Sequence, residues 1–237
     1  LFNAYKKKCG TPSKQAALDA KCGESKVHLF KSICKGLDAH QDTPVEILHV
    51  VLLGFIKYMW RDLVQNQLKD KDDKKALLIS PLTSFDVSGL NISPLAGRTL
   101  VQYSGSLTGH NFWAIAQAAP FVIYDLVARD CFDTWIALSK LVPLIWQPEI
   151  REITVHVETI EKEIQHFLLC AARWTSCWFN KPKFHIFVHL PEHIWQFVPS
   201  ILFATEAFES FNVVIRAKNV HFNRQAPSRN IARAFAQ

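Results

Sequence analysis

Apolar residues recur at intervals of three and four along most of the chain, the spacing that places them on one face of an α-helix. The plainest case runs from Glu149 to Trp174, where Glu158, Glu161, Lys162 and Glu163 fall opposite the apolar positions. The apolar positions themselves are Ile153, Val157, Ile160, Ile164, Phe167 and Leu168. This spacing predicts one long amphipathic helix.

An earlier helix has a recognisable start signal. Thr43 is a cap residue, Pro44 follows it at the first helical position, and Glu46 stands three residues after the cap. This arrangement is typical of a capping box. Because apolar residues then recur at helical spacing, we predict a helix from Thr43 to Gln67.

Three further helical segments are predicted downstream. An apolar stripe begins at Asn111, and a second helix is capped by Asp133 and continues through Leu144. A third covers Thr205 to Val220. In the apolar stretch from Phe184 to Trp195, Pro191 should kink or end any helix.

The remaining stretches are predicted to interrupt the helices. Lys69 to Lys75 is a charged break, and residues 81–109 combine glycine with proline in the manner of irregular structure. What little β-structure we expect is confined to short strands in 81–109 or near 198–204.

Glycine usage narrows the fold class. The chain of 237 residues has 8 glycines, and none lies between Asn111 and Gln237. Such a stretch cannot supply the glycine-rich loops that hold nucleotide phosphates, nor the tight turns of β-hairpins. We predict a mainly α protein with a partly helical basic lead-in over 1–41 and a single helical domain over 42–237.

Cysteine spacing and hydropathy exclude two further classes. The six cysteines include no CxxC pair, which argues against a thioredoxin-like site or a zinc ribbon. No apolar run reaches the roughly 18 residues of a membrane-spanning helix, so we expect no membrane partner. Reduced thiols in an intracellular protein are the plainer interpretation.

Positive charge is concentrated at the two ends of the sequence. Residues 1–35 contain eight lysines and two acidic residues, and residues 211–237 contain five basic residues and no acidic one. The segment between them is net acidic, within a total formal charge of +6. Basic ends suit a polyanion partner, although a solvated surface without a partner gives the same pattern.

Two groups of acidic residues are candidates for metal chemistry. Glu206 and Glu209 lie three apart on a predicted helix, and Asp42, Glu46 and His49 bracket an earlier helix start. Together, hard oxygen ligands of this kind suit Mg²⁺ or Mn²⁺. The alternatives are a capping role for Glu46 and a favourable interaction of Glu206 with a helix N-terminus.

Three histidines four residues apart form another candidate. His185, His189 and His193 would share one face of a continuous helix and resemble a zinc-binding ladder. Pro191 interrupts that helix, and the neighbouring residues are apolar. Buried histidines at a packing face are the alternative that we favour.

Four segments resemble motifs of one protein family. Pro44–Lys57 resembles the P-x-D-x-M-H-x-x-x-L-G-x-x-K segment of CACTA (En/Spm-like) transposases, and Pro182–Ile194 resembles their P-x-F-F-D-I-M-V-H-L-x-x-H-L segment. Ala207–Asn212 is similar to their P-F-E-R helix, and Ala226–Ala232 to the following R-P-E-G-S-I-A. The order and approximate intervals agree over residues 40–237. The run is most similar to transposon-derived reading frames of mushroom-forming fungi, with Kyakuja-Dileera-Zisupton elements as a second relative.

This resemblance implies an RNase H-like DD(E/D) core with a helical insertion, here about 80–180. In such enzymes three carboxylates hold two metal ions, and the metal ions activate water or a 3′-hydroxyl group for attack on a DNA phosphate. Carried onto this chain, the catalytic residues are Asp42, Glu46, His49, Glu206 and Glu209, with the four carboxylates as ligands of Mg²⁺ or Mn²⁺. The implied partner is duplex DNA at transposon ends, in the nucleus, with self-association as a further expectation.

Two departures from the family pattern concern activity. The family's aspartate three residues before the histidine is Glu46 here, and no β-like run precedes Asp19 or Asp38, where the first catalytic aspartate would lie. We therefore expect a C-terminal fragment or a degenerate copy. The alternative is a catalytically inactive helical module that interacts with DNA or protein.

The predicted DNA-binding side chains follow Glu209 in sequence, with no acidic residue among them. Arg216 lies seven residues after Glu209, so it could either flank a metal site or pair with Glu209 or Glu206. The complete predicted set is Arg216, Lys218, Arg224, Arg229 and Arg233.

Overall fold

The structure is a computed structural model that describes residues 43–69, 71–206 and 209–211. The chain divides into two units, Leu1–Thr43 and Pro44–Gln237, and the elements below belong to the second. The helices, in chain order, are α1 (three consecutive segments, Leu48–Ile56, Lys57–Asp62 and Leu63–Gln67), α2 (Asp72–Thr83), α3 (Gly97–Gln102), α4 (Gly109–Val122), α5 (Arg129–Ile145), α6 (Ile153–Trp174), α7 (Pro182–Phe187) and α8 (Leu190–Phe197). Short 3₁₀ turns cover Ser176–Asn180 and Ser200–Phe203.

Helix α1 lies at the centre of the core. Its first segment, Leu48–Ile56, is buried on nearly every side, which matches a sequence that is apolar almost all round. It packs against α4 and α7. The approach of α4 is close: a Cβ atom on Gly109 would lie 2.7 Å from Cδ1 of Leu48. Glycine at this position therefore allows the two helix starts to meet.

The other helices pack around α1, and large side chains form many of the contacts between them. Helices α5 and α6 pack along each other, α8 packs on α6, and α2 packs on α3 and α4. Phe55 of α1 meets three phenylalanine rings, with centroid distances of 5.3 Å to Phe167, 4.6 Å to Phe184 and 4.8 Å to Phe187. These aromatic contacts join α1, α6 and α7 into one hydrophobic core.

The mainly α prediction is confirmed for the described residues, in which no β-strand occurs. The short strands expected in 81–109 and near 198–204 are therefore wrong. In the first stretch α2 ends at Thr83, α3 covers Gly97–Gln102 and the residues around α3 are irregular; the 3₁₀ turn Ser200–Phe203 lies in the second. Among the described helices, none is long and apolar enough to cross a membrane.

Two predicted helix ends agree with the structure. The last segment of α1 ends at Gln67 and α6 ends at Trp174. The break near Pro191 is also present, because α7 ends at Phe187 and α8 begins at Leu190.

Helix starts agree less well with the prediction. Asp133 does not cap α5; the helix begins one turn earlier at Arg129, and the Asp133 carboxylate forms an ion pair with the Arg129 side chain at 3.0 Å. α6 begins at Ile153, a few residues after Glu149. The predicted charged break from Lys69 to Lys75 contains the start of α2, where Asp72 and Asp73 occupy the first turn. Acidic residues there interact favourably with the helix dipole.

Candidate functional site

Described residues of the first two family-like segments meet Thr205 and Glu209 at the N-terminal end of α1. The backbone N–H of Val45 donates to Nδ1 of His193 at 2.9 Å, which ties the approach to α1 to helix α8. The backbone N–H of Thr205 donates to Oε1 of Glu46, also at 2.9 Å. Residues from three separate parts of the sequence therefore form one site.

Glu46 is the hydrogen-bonding centre of this site. Its Oε1 accepts from the backbone N–H of Leu48 at 3.0 Å and from that of Thr205. Its Oε2 accepts from the backbone N–H of His49 at 2.8 Å and lies 2.6 Å from Nδ1 of the His49 ring. Each carboxylate oxygen thus has two partners.

The predicted capping box at Thr43 is wrong for this helix. Glu46 caps α1 itself, because its carboxylate binds the N–H groups of Leu48 and His49 in the first turn. Its backbone carbonyl also accepts from the N–H of Val50. A glutamate therefore plays the part that serine, threonine or aspartate usually plays at a helix start.

Hydrogen bonding controls the charge state of Glu46. Partial burial acts to raise the pKa of its carboxyl group. The hydrogen bonds from Thr205, His49 and Leu48 favour the ionised form and outweigh burial, so the pKa lies below its usual value. Glu46 is a carboxylate at neutral pH.

The His49 ring lies between two carboxylates. Its Nδ1 contacts Glu46, and its Nε2 lies 3.5 Å from Oε1 of Glu209. The hydroxyl oxygen of Thr205 lies 3.4 Å from the same Nδ1. The ring is therefore in contact with both carboxylates.

Glu206 and Glu209 line an open pocket beside this histidine. The pocket measures about 360 Å³, and Leu48 and Leu52 of α1 form part of its apolar wall. Its other lining residues are Gly109, His110, Trp113 and Trp146. Both glutamate side chains are exposed, in contrast to Glu46.

The structure thus brings together Glu46, His49 and Glu209, with Glu206 in the adjoining pocket. Asp42 lies outside the described residues, as do all the predicted DNA-binding side chains, Arg216, Lys218, Arg224, Arg229 and Arg233.

The arrangement of Glu46 does not fit a metal ligand. A Mg²⁺ ion would need a carboxylate lone pair directed at it, and both Glu46 oxygens already accept hydrogen bonds from within the protein. Within the described ranges, no group of three or more His, Cys, Asp or Glu side chains is arranged to hold a metal ion.

Sequence analysis missed Lys183 as part of this site. Its ammonium group donates to the backbone carbonyl of His49 at 2.5 Å and to that of Leu53 at 3.3 Å. Burial lowers the pKa of Lys183, and the charge of Glu46 partly offsets this effect. The position lies inside the second motif segment, which is the signal that could have identified it.

The three histidines of the predicted ladder have different environments. His193 is buried and its ring accepts a hydrogen bond, as the buried alternative predicts. His185 and His189 are exposed, which that alternative did not predict, and their ring centroids lie 5.5 Å apart. The turn between α7 and α8 separates the environment of His193 from theirs.

Comparison of the chain with protein-family models, with curated proteins and with solved structures finds no match.

Proposed function

We propose that this chain is a helical DNA-binding module of transposase descent, a fragment or degenerate copy of a DD(E/D) transposase, and that it binds DNA without cutting it. The proposal includes a distant relation to the helical part of an RNase H-like core. It also includes a nuclear location.

One observation carries the non-cleaving part of this proposal. Glu46 occupies the position at which the resemblance requires a metal-binding aspartate, and both of its oxygens accept hydrogen bonds, from Leu48 and His49 in the first turn of α1 and from Thr205. A carboxylate in this role stabilises the fold. The site is a structural joint between segments that lie far apart in sequence.

The charge distribution supports the DNA-binding part. Residues 211–237 carry five basic residues and no acidic residue, directly after the helix turn that contains Glu209. Lysine and arginine contacts to phosphates give binding that is independent of sequence and weakens steeply with salt. We expect this behaviour of a module that binds duplex DNA through contacts to the DNA phosphates.

Duplex binding in a salt titration tests the proposal. Fluorescence anisotropy of a labelled duplex with residues 1–237 measures the association constant K at several salt concentrations. A plot of log K against log salt concentration should have a negative slope of about 0.9 for each phosphate that the protein neutralises. Arg224→Ala combined with Arg229→Ala should lower that slope by up to about 1.8, since two phosphate contacts are lost. The exposed pair Arg98→Ala and Arg151→Ala, with the same charge change, is the matched control. Weak binding without a salt slope would refute the proposal.

A second candidate function is metal-dependent DNA cleavage, favoured by the placement of Glu206 and Glu209 in one open pocket beside His49. Incubation with supercoiled plasmid and Mg²⁺ or Mn²⁺ separates the two candidates. We expect no nicking. Nicking that Glu209→Gln abolishes and Glu161→Gln preserves would establish the second candidate in place of the first.

A further inference from the structure

Two histidines lie side by side on the surface, on residues that the candidate site does not use. His185 belongs to the last turn of α7, and His189 directly precedes α8. Their ring centroids lie 5.5 Å apart, and the two ring planes are nearly perpendicular, at 86°. Both residues are exposed. The pair is therefore accessible to a ligand from solvent.

The rings of this pair keep nitrogen atoms available for a ligand. The His185 ring forms no hydrogen bond or ion pair with the residues that the structure describes. Nδ1 of His189 lies 3.8 Å from Oε2 of Glu192, and this nearby carboxylate favours a proton on Nδ1. The lone pair of His189 is then on Nε2. A neutral imidazole with a lone pair exposed to solvent is a common metal ligand.

The spacing of the two rings suits one shared ion. Zinc lies about 2.0–2.1 Å from a ligating imidazole nitrogen, which places it roughly 3.2 Å from the centroid of the ring. Two rings that share the ion at a tetrahedral angle then have centroids about 5.2 Å apart. The observed distance is 5.5 Å. Because both side chains are exposed, the rings can rotate to direct a nitrogen each at one ion without displacing a packed neighbour.

The third histidine of the predicted ladder does not contribute to this pair. His193 is buried, and its Nδ1 accepts the N–H of Val45. Two protein donors remain, which agrees with the lack of any metal-holding group of three or more side chains within the described ranges. Zinc in proteins usually has four ligands, so two positions are left to water or to donors from another molecule.

We infer that His185 and His189 together bind one Zn²⁺ ion, through one nitrogen of each ring. Imidazole suits zinc, copper and nickel, whereas magnesium and calcium select oxygen ligands. The bound ion links the last turn of α7 to the start of α8, with Glu192 as the outer partner of His189. The inference goes beyond the proposed function, because it assigns a separate metal site and requires no DNA.

Equilibrium dialysis against Zn²⁺ tests the site in the full chain. His185→Ala and His189→Ala should each weaken the binding of one ion by roughly 100-fold, since two linked donors bind far more tightly than one. The double variant should lose the same single ion, because both donors serve it. His166→Ala, at an exposed histidine of α6, is the matched control and should keep the wild-type count.

Two outcomes of the dialysis would overturn the inference. One is an equal amount of bound zinc in the wild-type chain and in all the variants. The other is a loss in the double variant that equals the sum of two separate losses, which would mean that each histidine binds its own ion.

Proton resonances of the imidazole rings provide a second readout that is specific to these residues. The signals of His185 and His189 are assigned by their disappearance in the two single variants. Zn²⁺ should shift or broaden both signals together, and Mg²⁺ at the same concentration should leave them unchanged. In His185→Ala the His189 signal should no longer respond at that concentration. A response of one ring alone, or an equal response to both ions, would overturn the inference.

Discussion

At the scale of single residues, Glu46 holds more of the site together than any other described side chain. Three backbone N–H groups and one imidazole depend on its two oxygens. Such a residue is sensitive to truncation, because the donors that it satisfies lose their acceptor when it is removed.

We expect Glu46→Ala to lower the free energy of unfolding by about 2–3 kcal/mol, from the lost cap and the unpaired donors. Glu46→Gln keeps one oxygen and should cost roughly half as much. Urea denaturation measures both. Glu161→Ala, at an exposed position on α6, should stay within about 0.5 kcal/mol. A Glu46→Ala effect as small as that of Glu161→Ala would mean that the hydrogen bonds contribute little.

His193 gives the fold a dependence on pH. Its Nδ1 accepts the N–H of Val45, which requires the neutral ring, and burial lowers its pKa from the usual value of 6.5. The unfolded chain therefore binds a proton more readily than the folded one. Stability is complete above about pH 6.5 and falls as the pH drops toward the folded-state pKa.

We expect His193→Asn to flatten the loss of unfolding free energy between pH 7 and pH 5, since the amide oxygen accepts the same N–H and does not titrate. His156 also has a pKa lowered by burial, so some dependence should remain. Denaturation at several pH values measures the slope. His185→Asn, at an exposed histidine, is the control, and an equally flat profile for it would contradict the role of His193.

At the scale of whole elements, α1 depends on a lysine from another helix. Lys183 binds the carbonyls of His49 and Leu53 within Leu48–Ile56, the segment with π-helical hydrogen bonding. The lysine side chain reaches them because it passes Gly54. A Cβ atom on Gly54 would lie 2.9 Å from the His49 carbonyl oxygen and 3.0 Å from Cδ of Lys183.

Gly54→Ala should therefore destabilise the protein by about 1–3 kcal/mol through steric crowding, even though alanine favours helices by about 1 kcal/mol. Gly105→Ala is the matched control, since a Cβ atom there would meet its nearest neighbours at 3.8 Å. Thermal unfolding compares the two variants. Equal thermal midpoints for the two variants would show that the contact of the Lys183 side chain with α1 does not require glycine at position 54.

Helix ends were more predictable from sequence than helix starts. The helical spacing of apolar residues ends at Gln67 and Trp174, and the helices end at the same residues. The starts depend on which local acceptor is used. Thr43 and Asp133 both have side chains that could cap a helix. At α1, however, Glu46 is the residue that caps the first turn. At α5, the Asp133 carboxylate forms an ion pair with Arg129 instead.

The candidate site was predictable only through its side chains of distinctive chemistry. Glu46, His49, Glu206 and Glu209 stood out by residue type and spacing. The backbone N–H of Thr205 did not, because every residue except proline has one. Lys183 was inconspicuous because its role depends on the carbonyls of a helix more than a hundred residues away in sequence.

At the scale of the whole molecule, the described helices bring His193, Thr205 and Glu209 to the start of α1. The basic residues that we expect to bind DNA follow this meeting point in sequence.

The joint between α1 and the later segments also has a consequence for the kinetics of folding. The bond from Val45 to His193 spans 148 residues, and the bond from Thr205 to Glu46 spans 159. Contacts of such length slow folding, because the loop between them must be closed before they contribute. On the ribosome, Val45 and Glu46 emerge long before His193 and Thr205, so the joint at the start of α1 can be completed only after Thr205 has been synthesised.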